Sequence, residues 1–263
     1  MSDLFAGSSY RTPDVVPRPL LVRLLGWSRL PFYAYVFREL NAGRRAALAG
    51  RFDAAEFARR SEGIIRAAEY CGGRLEVTGL EHLGVVAGPV VVLGNHMSFL
   101  ETFALPAMIL SRKDVCFVVK QSLLDHPFLG PVLRGLDAIA LTRTNPREDL
   151  RVILQEGVRR LQSGQSLCIF PQSTRSHDFV AANFSSIGTK VAQRAGCPVV
   201  PVALRTDFVG NGTLIKDLGP VYPERAIRFA FGAAVDAADA RAAQQQVVAA
   251  ISASLSAWGV VCR

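Results

Sequence analysis

The sequence predicts an α/β fold, a mixed and largely parallel sheet flanked by helices and preceded by an N-terminal helical segment. Three observations predict it. From about residue 74 onward, short β-branched runs alternate with longer amphipathic ones. Before that point the apolar residues follow a helical rather than an alternating pattern, ending at Gly72-Gly73. The length of 263 residues suits one large α/β domain with a short appendage and is too short for two ordinary enzyme domains.

Taken in order, residues 19–40 read PLLVRLLGWSRLPFYAYVFREL, apolar and aromatic with Arg23, Arg29 and Arg38 spaced along them. Pro31 interrupts the helical pattern, which predicts two short helices joined there. Residues 1–42 are therefore taken as an N-terminal interfacial segment and 43–263 as the catalytic-type domain. Residues 44–70 carry Leu48, Phe52, Ile64 and Ile65 among charges, again a helical pattern. Strands follow in RLEV (74–77), VVVL (90–93), CFVVK (116–120), AIAL (138–141), SLCIF (166–170), VVPVAL (199–204) and RFAFGAAV (228–235). Helices are expected near 98–110, 127–135, 148–162, 187–195 and 238–257. Such alternation covers both faces of a sheet and puts ligands outside the strand ends. The Gly-rich stretch from Thr206 to Pro223 reads as a long loop near the substrate region.

Composition narrows the function. Half the residues are apolar, yet no run of about 18 escapes interruption by charge, so a spanning helix is not predicted. The N-terminus has neither a basic start with an apolar core nor a cleavage site, so the chain is expected to stay on the cytoplasmic side. Five scattered cysteines without C-x-x-C spacing argue against a disulfide framework or a zinc site and read as small buried hydrophobes. The net charge is +8, and residues 1–66 hold eleven Arg against six acids. No nucleic-acid module accompanies that charge, whereas an anionic membrane surface attracts Arg-rich apolar helices. The expected partner is therefore the membrane, with Trp27, Phe32, Tyr33 and Tyr35 at headgroup depth; the alternative is that these aromatics cap the core of the main domain.

Three blocks carry chemistry. In VVLGNHMSFLET, His96 follows an apolar strand and precedes a helix, and Glu101 lies five residues on. A carboxylate one turn into that helix bends back to fix the imidazole tautomer and raise its basicity, as a general base requires. In SLCIFPQSTRS a strand runs into Pro171-Gln172-Ser173-Thr174-Arg175-Ser176, whose hydroxyls, amides and guanidinium suit an oxyanion or phosphate. Lys120 and Arg143 each follow a strand and can reach one cleft, as a point charge and a planar clamp. Each block alone also fits a plain structural role: a satisfied histidine, a polar turn, solvated charges. No G-x-S-x-G elbow follows a strand, which disfavours a serine hydrolase.

In their order along the chain these blocks resemble the glycerolipid acyltransferase family, which includes bacterial 1-acylglycerol-3-phosphate acyltransferases. That family carries a His, four residues and an Asp, then a basic block, then Phe-Pro-Glu-Gly-Thr-Arg-Ser, then an apolar block with a Pro. Here NHMSFLE, LDAIALTR, FPQSTRS and VVPVAL correspond, across about residues 75–205. The resemblance implies transfer of a fatty acyl group from acyl-CoA or acyl-acyl carrier protein to a lysophospholipid, with no bound cofactor and no metal. It implies His96 as base, Glu101 as its orienting carboxylate, Arg143 and Arg175 as phosphate contacts, and Pro201 in the acyl or donor groove. Lys120 is added on charge alone. Two departures stand out: Glu101 replaces the Asp, and Gln172-Ser173 replace Glu-Gly in the acceptor pocket. They leave open another lysolipid acceptor, or a lipid-binding protein that has kept the fold and lost turnover.

Overall fold

Residues 4–26, 29–172, 174–213 and 216–263 are described by a computed structural model. In chain order they form β1 (Tyr10–Arg11), α1 (Leu20–Leu25), α2 (Arg29–Leu48), α3 (Ala54–Tyr70), β2 (Leu75–Thr78), α4 (Glu81–Gly84), β3 (Val91–Gly94), α5 (Leu100–Leu110) and β4 (Val115–Lys120). Then come α6 (Leu129–Gly135), β5 (Ile139–Leu141), α7 (Pro146–Gln162), β6 (Ser166–Ile169), α8 (Ile187–Ala195), β7 (Val199–Arg205), β8 (Ile227–Phe231) and α9 (Ala240–Ala257).

The strands lie in one sheet in the order β1-β2-β8-β7-β3-β6-β4-β5. The β1–β2 and β7–β8 pairs are antiparallel and the rest parallel, the mixed and largely parallel sheet the sequence predicts. The central strands β3 and β6 are buried at every position, which is why they read as unbroken apolar runs rather than alternating ones. Successive side chains point to opposite faces. Val92 joins Ile64 and Leu105 in one core, while Val91 and Leu93 join Ile153, Val191 and Val247 in the other. Packing is tight: a Cβ on Gly188 of α8 would meet Leu93 Cδ2 at 2.3 Å.

The N-terminal region departs from expectation. The first helix ends at Leu25 with Gly26 (φ 65°) as its cap, and Pro31 breaks no helix but sits in the first turn of α2, where its missing N–H costs nothing. The expected boundary at residue 42 lies inside α2. Phe5, Val22, Phe32 and Val36 are buried in the core, and β1 extends the sheet beside β2. Residues 44–70 span the end of α2 and the whole of α3: Gly50 (φ 65°) turns the chain between them and the Asp53 carboxylate caps α3 by accepting from Glu56 N at 2.8 Å.

Three of the four aromatics expected at headgroup depth cap the core instead. Phe32 is 0% exposed and meets Phe208 edge-on at 5.7 Å, the Tyr33 hydroxyl donates to Gly219 O at 2.9 Å, and Tyr35 packs on Tyr70. Trp27 lies outside the described residues. The apolar side chains that α1 and α2 do expose are others, among them Leu24 (73%), Leu30 and Phe37. Among the described residues no helix is long and apolar enough to cross a membrane. Cys71, Cys116, Cys168 and Cys197 are buried free thiols, and burial pushes Cys71 up to about 12.

Candidate active site

The carboxyl ends of the parallel strands converge, and the turn after β3 is held from several sides. Gly94 passes so close to β7 that a Cβ there would lie 2.9 Å from Val202 Cγ1. The buried Asn95 amide then bridges β7, donating to Leu204 O and accepting from Leu204 N, both at 2.8 Å. Next, His96 N donates to Gln172 Oε1 at 2.6 Å and His96 O accepts from Ser176 N at 2.9 Å. Its imidazole stacks on Phe170 with centroids 4.7 Å apart.

Glu101, in the first turn of α5, returns to His96. Its Oε1 lies 2.9 Å from His96 Nδ1, so the extra methylene relative to Asp is accommodated. The carboxylate is 0% exposed and would be costly there without partners. It accepts from Met97 N at 2.6 Å, from Ser98 N at 2.8 Å, from the Ser98 hydroxyl at 3.0 Å and from the Thr206 hydroxyl at 2.5 Å. Burial alone would raise its pKa, but the imidazole and these donors outweigh burial and hold it below the usual carboxylate value. An ionised carboxylate can only accept, so Nδ1 carries the proton and Nε2 the lone pair.

The imidazole, 14% exposed, lines a groove of about 420 Å³ together with Lys120, Arg143, Thr174, Arg175 and Lys216. Lys120 ends β4 and Arg143 follows β5, as strand-end geometry requires. Arg143 is in the left-handed region (φ 60°), uncommon for a residue with a side chain. It is held there by the Asp149 carboxylate at the start of α7, which accepts from Arg143 N and Thr142 N, both at 2.8 Å. Away from His96 the groove is apolar, walled by Phe52, Phe57, Phe117, Leu129 and Val132. The lining also includes a buried Glu39, which accepts from Arg60 Nη1 at 2.8 Å.

Two expected contacts are not on the groove wall. Gln172 is buried and turned inward, holding the backbone of His96 rather than facing an acceptor. Pro201 is buried in mid-sheet, where its carbonyl accepts from Gly232 N at 2.8 Å; a proline is tolerated there because β8 ends at the position opposite. Ser173 lies outside the described residues. Sequence reasoning missed Lys216, whose Nζ donates to Thr174 Oγ1 at 2.9 Å, and Thr206 behind Glu101. Lys216 had no signal beyond a charge in a Gly-rich loop, whereas Thr206 directly follows an apolar strand.

Residues 74–205 match the family model described as Acyltransferase. The chain is 37% identical over 132 residues to a 1-acyl-sn-glycerol-3-phosphate acyltransferase of Pseudomonas aeruginosa, covering 50% of this chain and 49% of that protein. It is 30% identical over 153 residues to one of Borreliella burgdorferi (56% of each). A chloroplastic one of Arabidopsis thaliana is 30% identical over 142 residues, 54% of this chain and 38% of that protein. The chain thus spans about half the length of the curated relatives it matches. The crystal structure of the acyltransferase PlsC from Thermotoga maritima superposes with a TM-score of 0.63 at 18% identity, over 88% of this chain and 96% of that one. That likeness is one of fold.

Proposed function

The chain belongs to the acyltransferase family, and from that premise we propose that it moves a fatty acyl group from a thioester donor to the free hydroxyl of a lysophospholipid. The acceptor is 1-acylglycerol-3-phosphate and the product phosphatidic acid. The observation that carries this reading is the 2.9 Å contact between His96 Nδ1 and a buried, ionised Glu101, at the mouth of a groove that also carries Lys120, Arg143, Arg175 and Lys216.

With Nδ1 committed to Glu101, Nε2 takes the proton of the acceptor hydroxyl as its oxygen attacks the thioester carbonyl. The tetrahedral adduct collapses, the C–S bond breaks, and the thiolate recovers the proton from the imidazolium, so no acyl-enzyme forms. Glu101 stabilises the imidazolium while it exists. Proton transfer of this kind is worth about two to four powers of ten in rate. The cations hold the phosphate, and the apolar walls receive acyl chain. Every step uses side chains of this chain and the two substrates, without a bound cofactor.

Acyl-CoA and acyl-acyl carrier protein present the same thioester, and either serves as donor in this scheme. Peripheral binding to the anionic cytoplasmic face of the membrane is part of the reading. It is supported by Leu20, Leu24, Leu30 and Phe37, exposed on α1 and α2 beside Arg23 and Arg29. Release of free thiol from acyl-CoA on adding 1-acylglycerol-3-phosphate, compared between wild type and His96→Ala, tests the proposal. Turnover lost in the variant is the expected result. Silence of the wild type with both donors and a panel of lysolipids would instead favour a lipid-binding protein.

A further inference from the structure

The loop between β7 and β8 brings two opposite charges to the groove mouth. Its base is closed by Gly210 N donating to Pro220 O at 2.9 Å and by Tyr222 N donating to Phe208 O at 2.8 Å. Gly219 approaches so closely that a Cβ on it would fall 1.9 Å from Gly210 O. Tyr33 holds the same residue from α2 through Gly219 O. From this base the tip reaches over the turn after β6. There Lys216 Nζ meets Thr174 Oγ1, and Asp217 Oδ1 accepts from Arg175 Nη2 at 2.5 Å.

Arg175 and Asp217 differ in kind. The Arg175 side chain is 17% exposed, on the groove wall, while that of Asp217 is 61% exposed and off it. Building on the acceptor reading above, we infer that Asp217 and the acceptor's phosphate compete for the Arg175 guanidinium, so that Lys216 and Asp217 make this loop the reader of the acceptor head group. Arg175 carries one positive charge. A phosphate monoester brings about −1.5 to −2 at neutral pH, and Asp217 adds another negative charge beside it. The two anions repel, and the guanidinium serves one of them well only if the other withdraws. Asp217 is the one free to withdraw, because most of its side chain is already in water and an exposed ion pair of this sort is weak.

Lys216 acts in the opposite sense. Its ammonium lines the groove beside Arg175, so it gives the phosphate a compact charge from the same loop that sets Asp217 against it. The pair therefore grades acceptors by head-group charge. A dianionic monoester gains from Lys216 and is opposed by Asp217. A zwitterionic head group, whose ammonium can pair with Asp217, is not opposed. The carboxylate widens the range of lysolipids the site accepts at the expense of affinity for the phosphate monoester.

The test is direct binding of 1-acylglycerol-3-phosphate to the full chain, with KM and kcat measured alongside. Asp217→Ala is expected to bind the monoester about two- to fivefold more tightly, the size of an exposed ion pair, and to lower KM with kcat unchanged. Asp217→Glu should return wild-type values, and Lys216→Ala should weaken binding about tenfold. For a zwitterionic ethanolamine lysophospholipid, Asp217→Ala should bring no gain. Equal or weaker monoester binding in Asp217→Ala, or the same gain for both lipids, overturns the inference. Because binding is read without turnover, a wild type that binds but transfers nothing would count against the proposed reaction and leave this competition to be judged by its own numbers.

Discussion

Two stretches meet at the groove mouth and are held in opposite ways. The turn from Gly94 to Glu101 is anchored by hydrogen bonds to two other segments, the end of β7 through Leu204 and Thr206 and the turn after β6 through Gln172. Lys216 and Asp217, both exposed, reach the site through one side-chain contact each among the described residues. The first stretch is over-determined, as the proposed base and its carboxylate require. The loop between β7 and β8 is tethered at its base by Gly210, Tyr222 and Tyr33, while the side chains of Lys216 and Asp217 are held by exposed contacts. The difference teaches that, on the proposed function, the chemistry and the choice of acceptor would be separable in this fold.

The largest expected effect breaks the first stretch at its centre. His96→Ala should lower kcat by about two to four powers of ten while leaving the melting temperature near wild type, since the imidazole rests on one face of Phe170 without filling the core. Next, Asn95→Ala leaves the N–H and C=O of Leu204 unpaired in the interior, and should destabilise the protein by about 2 kcal/mol, read by denaturant unfolding. A wild-type midpoint would show that the turn is less anchored than its bonds suggest.

A pH series sharpens the same point. Glu101 is held below its usual value of 4.5 despite burial, by the imidazole and the donors around it. A depressed folded pKa means that its contribution to stability is complete above that usual value and is lost as pH falls through the lower, folded one. Thermal stability should therefore be insensitive to this group near neutrality and fall only in strong acid. Glu101→Gln, which cannot accept from all these donors, should be less stable at neutral pH and should lose that acid limb.

The smallest effects belong to the exposed cations. Lys120→Ala should raise KM for a phosphate-bearing acceptor about three- to fivefold with kcat unchanged, the range of a solvent-exposed charge contact. Arg143→Gly set beside Arg143→Ala separates charge from backbone: both lose the guanidinium, but glycine adopts the left-handed conformation without strain. Equal KM and a higher melting temperature for the glycine variant are expected.

Much of this was legible because it depends on local pattern. Buried parallel strands are unbroken apolar runs, so β3, β6 and β7 stood out in VVVL, SLCIF and VVPVAL. The pairing of His96 with Glu101 was legible from spacing, since both sit at one strand-to-helix turn. What failed depended on distant partners. Gln172 reads as a pocket residue until the fold brings it under the His96 amide, and Pro201 reads as groove until the sheet buries it between Leu93 of β3 and Gly232. Phe32 and Tyr33 look interfacial because a helix pattern does not reveal that Phe208 and Gly219 pack on them. Strand β1 had no signal: two residues pair with β2 and carry no periodicity of their own.

The strand order also fixes a sequence in time. Since β8 and β7 lie between β2 and β3, the first two long strands to leave the ribosome cannot become sheet neighbours of each other. β2 waits for β8, made about 150 residues later, and β3 for β7, made about 110 residues later. Leu204 and Thr206, the buried partners that Asn95 and Glu101 find outside their own turn, belong to that late portion, so an emerging chain holds the carboxylate by its local donors alone. Until β7 and β8 are synthesised, the apolar edges of β2 and β3 stand open to other chains, and the groove residues are completed in the same event that closes those edges.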